Sequence, residues 1–135
     1  MSSIKRFEDV HACQEAGKLT QQVYQLVASG PFVHDFGLRD QICRAAVSAM
    51  TNIAEGFDCD SKQEFARFLG ISRRSAVEVQ SLLYVALDVG HIGKEAFEAH
   101  YAQATKTKGL IGGFKSSLKP KTSATYHVPR ATSNS

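Results

Sequence analysis

The sequence predicts an all-α fold: an antiparallel, up-down-up-down four-helix bundle that assembles into a homo-oligomer. Three observations carry this expectation. Four stretches repeat their apolar residues at spacings of three and four, the period of a helix with one buried face. No stretch alternates apolar and polar residues as a half-buried strand does. The connections are short, roughly two to ten residues, which favours antiparallel neighbours. A chain of 135 residues is long enough to bury a core without disulfides or metals.

The first helix is expected over Asp9 to Ala28. Ala12, Ala16, Leu19, Val23 and Leu26 form its apolar stripe, and Ser29-Gly30-Pro31 ends it. The second spans about Leu38 to Gly56. Ile42, Ala45, Ala46, Ala49 and Ile53 lie on one side, with Cys43, Val47, Met50 and Ala54 on another. A helix apolar on two sides is usually covered on both.

The third helix opens at a capping box, Ser61-Lys62-Gln63-Glu64. Ser61 is expected to accept from the Glu64 amide, and Glu64 to reach back to the amide of Ser61. Its stripe reads Phe65, Phe68, Leu69, Ser72, Ala76, Val79, Leu83 and Ala86, broadened by Leu82, Val85 and Val89 up to Gly90. Buried large side chains each contribute roughly 1.5–3 kcal/mol of transfer free energy, so this helix organises the core. The fourth runs from Lys94 to Leu118 along Phe97, His100, Ala104, Thr107, Ile111, Phe114 and Leu118. Gly109, Gly112 and Gly113 each cost ~1 kcal/mol relative to alanine, so its last turns are expected to fray or kink. Residues 1–119 thus form the bundle domain. Residues 120–135, rich in Ser, Thr, Ala and Pro, read as a disordered tail.

Charge is unevenly spread. Residues 1–98 hold 10 basic and 13 acidic side chains, whereas residues 99–135 hold 6 basic ones and no acid. That asymmetry suits either an anionic partner for the C-terminal part or a solubilising tail. The candidate phosphate contacts are Lys106, Lys108, Lys115, Lys119 and Lys121, with Arg39, Arg44, Arg67 and Arg74 as lesser ones. Against this, residues 1–119 carry 14 basic and 13 acidic side chains, a near-neutral balance that suits a protein-interaction scaffold. Three scattered cysteines with no Cys-x-x-Cys spacing suit a reducing cytoplasm. No apolar run reaches the ~20 residues of a membrane span, and the N-terminus lacks the apolar stretch of a signal peptide.

Motifs for chemistry are missing. The five histidines include no His-Glu-x-x-His and no zinc-finger spacing. There is no phosphate-binding glycine loop after a strand, no Gly-x-Ser-x-Gly elbow and no Glu-x-x-His of a di-iron bundle. Neither a cofactor, a metal nor an enzymatic activity is expected. One polar group stands out: Asn52 and Glu55 late in the second helix, and Arg73, Ser75 and Glu78 in the third. Arg73 is expected to bridge Glu55, or failing that Glu78, as a structural ion pair.

Two of these segments carry a family resemblance. Phe36-Gly37-Leu38-x-x-Gln41-x-x-Arg44-Ala45-Ala46-Val47-Ser48, followed by Asn52-Ile53-Ala54-Glu55-Gly56, resembles the second-helix signature of the bacterial four-helix bundle proteins also called the 23S rRNA intervening-sequence protein family. Ser61-Lys62-x-Glu64-Phe65-x-Arg67-Phe68-Leu69-x-Ile71-x-Arg73-x-Ser75 is similar to its third-helix signature. Phe7-Glu8-Asp9 and Gly109-Leu110-Ile111 also fit, so the likeness spans roughly residues 5–119. It implies a homopentamer of four-helix bundles and an RNA- or DNA-associated role; a related group serves diversity-generating retroelements by binding a reverse transcriptase. Three positions depart from the pattern. Cys13 stands where an aromatic residue is common, Met50 where a proline is usual, and Cys43 where an arginine often precedes Arg44. The last removes positive charge from a surface that would meet nucleic acid.

Overall fold

The structure is a computed structural model, described for residues 6–118. Lys119, Lys121 and the expected tail over 120–135 lie outside the described residues. Four long helices follow one another: α1 (His11–Leu26), α2 (Phe36–Phe57), α3 (Lys62–Asp88) and α4 (Lys94–Ser117). Two short 3₁₀ turns, Phe7–Asp9 and Gly30–His34, lead into α1 and α2. Each helix packs against its neighbours in sequence, and α1 closes the bundle against α4. The all-α four-helix architecture is thus the one that the apolar periodicity predicts.

The turns have local causes. Gly30 adopts φ +67 and Gly90 φ +82, left-handed conformations that only glycine takes without strain. Gly90 directly follows the C-cap of α3, and Gly30 opens the 3₁₀ turn that redirects the chain between α1 and α2. At the start of α2, Asp35 Oδ1 accepts from the Leu38 amide at 3.1 Å. This cap sets the helix two residues earlier than the apolar pattern suggests. At α3, Ser61 Oγ accepts from the Glu64 amide at 3.1 Å. The reciprocal half of the capping box is not formed: the Glu64 carboxylate turns to Arg67, which donates from Nη2 at 3.2 Å and Nε at 3.3 Å. A charged partner outcompetes a backbone amide for the same oxygens.

Two apolar clusters fill the interior. One gathers Leu19, Val23, Phe32, Ile42, Val79 and Leu83; the other gathers Val10, Ala16, Ile53, Leu69, Ala76 and Ile111. Polar side chains fasten the helices near the level where these clusters meet. Ser72, fully buried, donates to the Ala49 carbonyl across α2 and α3. Thr20 donates to Ala46 O at 3.0 Å, joining α1 to α2. Thr107 reaches Glu15 O at 3.3 Å, joining α4 to α1. Small residues at these crossings let the backbones approach closely enough for hydroxyl-to-carbonyl bonds.

Two expectations need correction. The glycines of α4 do not fray its last turns, since the helix continues through all three to Ser117. Gly112 instead makes room for α3: a Cβ there would stand 3.3 Å from Arg73 Nε. The second apolar side of α2 is also largely used within the chain. Cys43 and Met50 pack onto the two clusters, and Val47 and Ala54 are half-buried. The surplus apolar surface lies elsewhere, at Phe36, Tyr24, Val77, Tyr84, Val85 and Val89.

Candidate functional site

Cations collect on the outer groove between α3 and α4. Arg67, Gly70 and Arg74 of α3 and Lys115 of α4 line one open concavity with Gln63, Glu64 and Ala66. Gly70 forms its floor, because the glycine has no side chain to fill the space. A Cβ at that position would meet Lys115 Nζ at 3.5 Å and Arg74 Nη1 at 3.9 Å. The two charged heads therefore converge over the same spot of backbone. One turn further along, Arg73 lies over Gly112 in the same manner. Lys108 sits seven residues before Lys115, on the same face of α4.

The acidic side chains do not cancel this groove. Among the described residues the ion pairs take Arg67 with Glu64, Arg44 with Asp40, Lys18 and Lys106 with Glu15, Arg6 with Glu8, and His91 with Asp35. None of them takes Arg73, Arg74, Lys108 or Lys115. Glu64 is the one acid lining the concavity, and its contact raises the pKa of Arg67 further above its ordinary range. The described part of α4 has no acid beyond Glu98.

The sequence candidates thus divide. Arg67, Arg74 and Lys115 come together, while Lys108 lies two turns away along α4 and outside the concavity. Lys106 points to the other flank of α4, 3.5 Å from the buried Glu15. The Glu15 carboxylate is held below its ordinary pKa, first by the Gln103 amide at 2.9 Å and then by Lys18 and Lys106. Arg39 donates to Val33 O at 2.7 Å and stacks over Phe36, while Arg44 pairs with Asp40 on α2. These three do not join the groove. Arg73 lies beside the concavity, over Gly112, although only a structural ion pair was expected of it. That ion pair is a correction: Arg73 is exposed and pairs with neither Glu55 nor Glu78 among the described residues. Glu55 is exposed, and Glu78 accepts from Gln41 at 3.3 Å. The polar contact between α2 and α3 is built from hydroxyls instead. Ser48 and Ser75 meet at 2.8 Å, and Asn52 donates to Ser48 Oγ at 3.0 Å. Nothing in the spacing of α3 marks Arg73, because the gap that it fills is Gly112, on the facing helix.

For metal chemistry, no group of three or more His, Cys, Asp or Glu side chains is placed to hold an ion among the described residues. Cys13, Cys43 and Cys59 are free thiols, the first two pushed up in pKa mainly by burial. His100 is half-buried with Nδ1 2.7 Å from Ala96 O. No helix among the described residues is long and apolar enough to cross a membrane.

A second surface feature mixes exposed aromatic rings with charged side chains. Tyr24, Phe36, Arg39, Asp40 and Cys43 line an open hollow on the α1–α2 side, where Phe36 is 72% exposed.

Residues 8–113 match the family model of the 23S rRNA-intervening sequence protein. A crystal structure from Bacteroides thetaiotaomicron, of a protein with unknown function from the S23 ribosomal protein family, has the same fold at a TM-score of 0.71. The two chains are 19% identical, and the match covers 78% of this chain and 95% of that chain. No curated protein matches the chain.

Proposed function

The chain belongs to the 23S rRNA-intervening sequence protein family, and from that premise we propose that it is a non-catalytic, self-associating nucleic-acid-binding protein of the cytoplasm. It grips RNA or DNA through phosphate contacts along the α3–α4 groove. The observation that carries this reading is the convergence of Arg74 and Lys115 over the bare backbone of Gly70, with Arg67 at the rim. Phosphate oxygens meet charged donors there without a side chain in the way, and such contacts hold the nucleic acid without reading its bases.

Self-association supports the reading through avidity, since copies of one modest basic groove on a shared particle bind a polyanion more tightly than one groove alone. Phe36 and Tyr24 on one flank, with Val85 and Val89 on another, offer two different apolar surfaces. That is the requirement for a closed ring of heterologous contacts, of which a pentamer is the form the family resemblance implies. Sedimentation at micromolar concentration tests it; a monomer contradicts it.

Filter binding of the full chain to RNA and DNA at ~50 mM salt tests the nucleic-acid role. Salt-sensitive retention supports it, and no retention of either polymer rejects it. The exposed Phe36 hollow also favours a second reading, a scaffold for a protein partner with no nucleic-acid role. A pull-down that recovers one protein partner after nuclease treatment, and fails with Phe36→Ser, favours that scaffold.

A further inference from the structure

Two rows of residues at seven-residue spacing face each other along the α3–α4 seam. On α3 they are Gly70, Val77 and Tyr84; on α4, running the other way, Lys115, Lys108 and Tyr101. The ends fix the register. Lys115 lies over Gly70, and the rings of Tyr84 and Tyr101 meet at 5.4 Å and 74°. Lys108 therefore stands opposite Val77. Fourteen residues of helix separate Gly70 from Tyr84, ~21 Å at the α-helical rise. The seam is cationic at one end and aromatic at the other.

The aromatic end is braced. Tyr84 packs on Phe97 at 4.7 Å as well as on Tyr101, yet it remains 49% exposed. Phe97 is buried beneath it and Tyr101 half-buried beside it. A ring held on two sides with an open face is a stacking surface that loses little freedom when a planar group lands on it. The acids on this stretch of α3 are Glu78, which faces α2 and accepts from Gln41 at 3.3 Å, and Asp88, one turn beyond Tyr84 at the far limit of the seam.

We infer that this seam is a track for single-stranded nucleic acid, with phosphates over Arg74, Lys108 and Lys115 and an unpaired base stacked on Tyr84. The inference rests on the proposed nucleic-acid role and names the form of polymer that the groove takes. A duplex satisfies cations as well as a single strand does, but its bases are stacked on one another and present no free face. A single strand offers both phosphates and free faces within the ~21 Å of the seam. Stacking is indifferent to base identity, so little sequence preference follows.

The test uses the full chain with oligouridylate, oligodeoxythymidylate and a mixed-sequence DNA duplex, each about 12 units long, within the site sizes of sequence-independent binders. Fluorescence anisotropy of labelled probes is expected to show both single strands binding roughly 10-fold or more tightly than the duplex. Tyr84→Ala is expected to lose about 10-fold for single strands and nothing for the duplex, while Tyr84→Phe keeps the affinity. The chain has 4 tyrosines and no tryptophan, so intrinsic tyrosine fluorescence gives a second readout. It is quenched on binding in the native chain and much less in Tyr84→Phe, a variant that leaves the packing intact even if Tyr84→Ala does not fold. Equal affinity for duplex and single strands, with quenching unchanged in Tyr84→Phe, overturns the stacking track and leaves the phosphate groove standing. Absence of salt-dependent binding to all three probes overturns both.

Discussion

His91 and Asp35 meet at 2.9 Å, tying the turn before α4 to the N-terminus of α2. Asp35 serves two donors at once, the His91 ring and the Leu38 amide. His91 lies against Phe32, and its other ring nitrogen is buried without a hydrogen-bond partner among the described residues. The contact with Asp35 is thus the polar anchor of the ring and the cap of α2 together.

This geometry makes stability fall at acid pH. Asp35 is held below its ordinary pKa, first by the hydrogen bond from His91 and then by the Leu38 amide. The ionised form is therefore bound more favourably in the folded chain. Its contribution is complete above the unfolded carboxylate range, about pH 4, and is lost as pH falls through the lowered folded value. Thermal melts from neutral pH downwards are expected to show a steeper loss in the native chain than in Asp35→Asn, which starts less stable. Parallel curves for the two proteins contradict the assignment.

Glycine positions separate cleanly into three classes. A Cβ at Gly109 meets nothing within 4 Å, so Gly109→Ala is expected to stabilise the chain by up to ~1 kcal/mol through helix propensity. At Gly56 a Cβ stands 2.7 Å from Phe65 Cδ1 and 2.9 Å from Phe68 Cβ, and Gly56→Ala is expected to cost about 1–3 kcal/mol. Gly112→Ala displaces only the exposed Arg73 and is expected to leave stability unchanged or slightly raised. Urea denaturation of the three variants measures the order; a destabilised Gly109→Ala contradicts it.

The Ser72 hydroxyl links α3 to the Ala49 carbonyl in the fully buried interior. Ser72→Ala keeps the shape and loses that bond, for an expected cost of ~1 kcal/mol. Ser72→Leu forces methylenes between α2 and α3 and costs about 1–3 kcal/mol. A shift of the urea midpoint for Leu no larger than for Ala contradicts the close approach of the two helices.

The helices themselves were legible because their apolar residues repeat with a helical period over long stretches. Leu69, Ala76, Val79, Leu83 and Ala86 all fall on the stripe that the spacing picks out, and all are buried. What the pattern misses is choice among polar partners. Glu64 has an amide and a guanidinium within reach, and nothing in the spacing of α3 says that Arg67 takes it. Arg73 is hidden for a related reason: its place is set by a gap in α4, at Gly112, some forty residues along the chain. Surplus apolar surface is expected on both α2 and α3; on α2 Cys43 and Met50 pack against the two clusters and the exposed Phe36 belongs to the first turn, whereas on α3 Val85 and Val89 do stay exposed. Grease can be counted from sequence, whereas its cover depends on how neighbours cross.

The basic side chains are expected to differ in their weight. Lys106→Ala leaves binding nearly intact, because its ammonium is already engaged by Glu15. Lys115→Ala removes a charge over Gly70 that has no acidic partner among the described residues, and weakens binding several-fold. Competition assays with the two variants against a common single strand measure the difference. Equal losses contradict the division of lysines between the two flanks of α4.

The salt dependence of binding for the native chain and for Arg74→Ala/Lys115→Ala tests the groove most directly. Each phosphate contact on a single strand contributes a slope of about −0.7 to log affinity against log salt. The double variant, with its circular dichroism unchanged, is expected to bind more weakly and to lose about 1.4 of that slope. A double variant with the native affinity and the native slope contradicts the account.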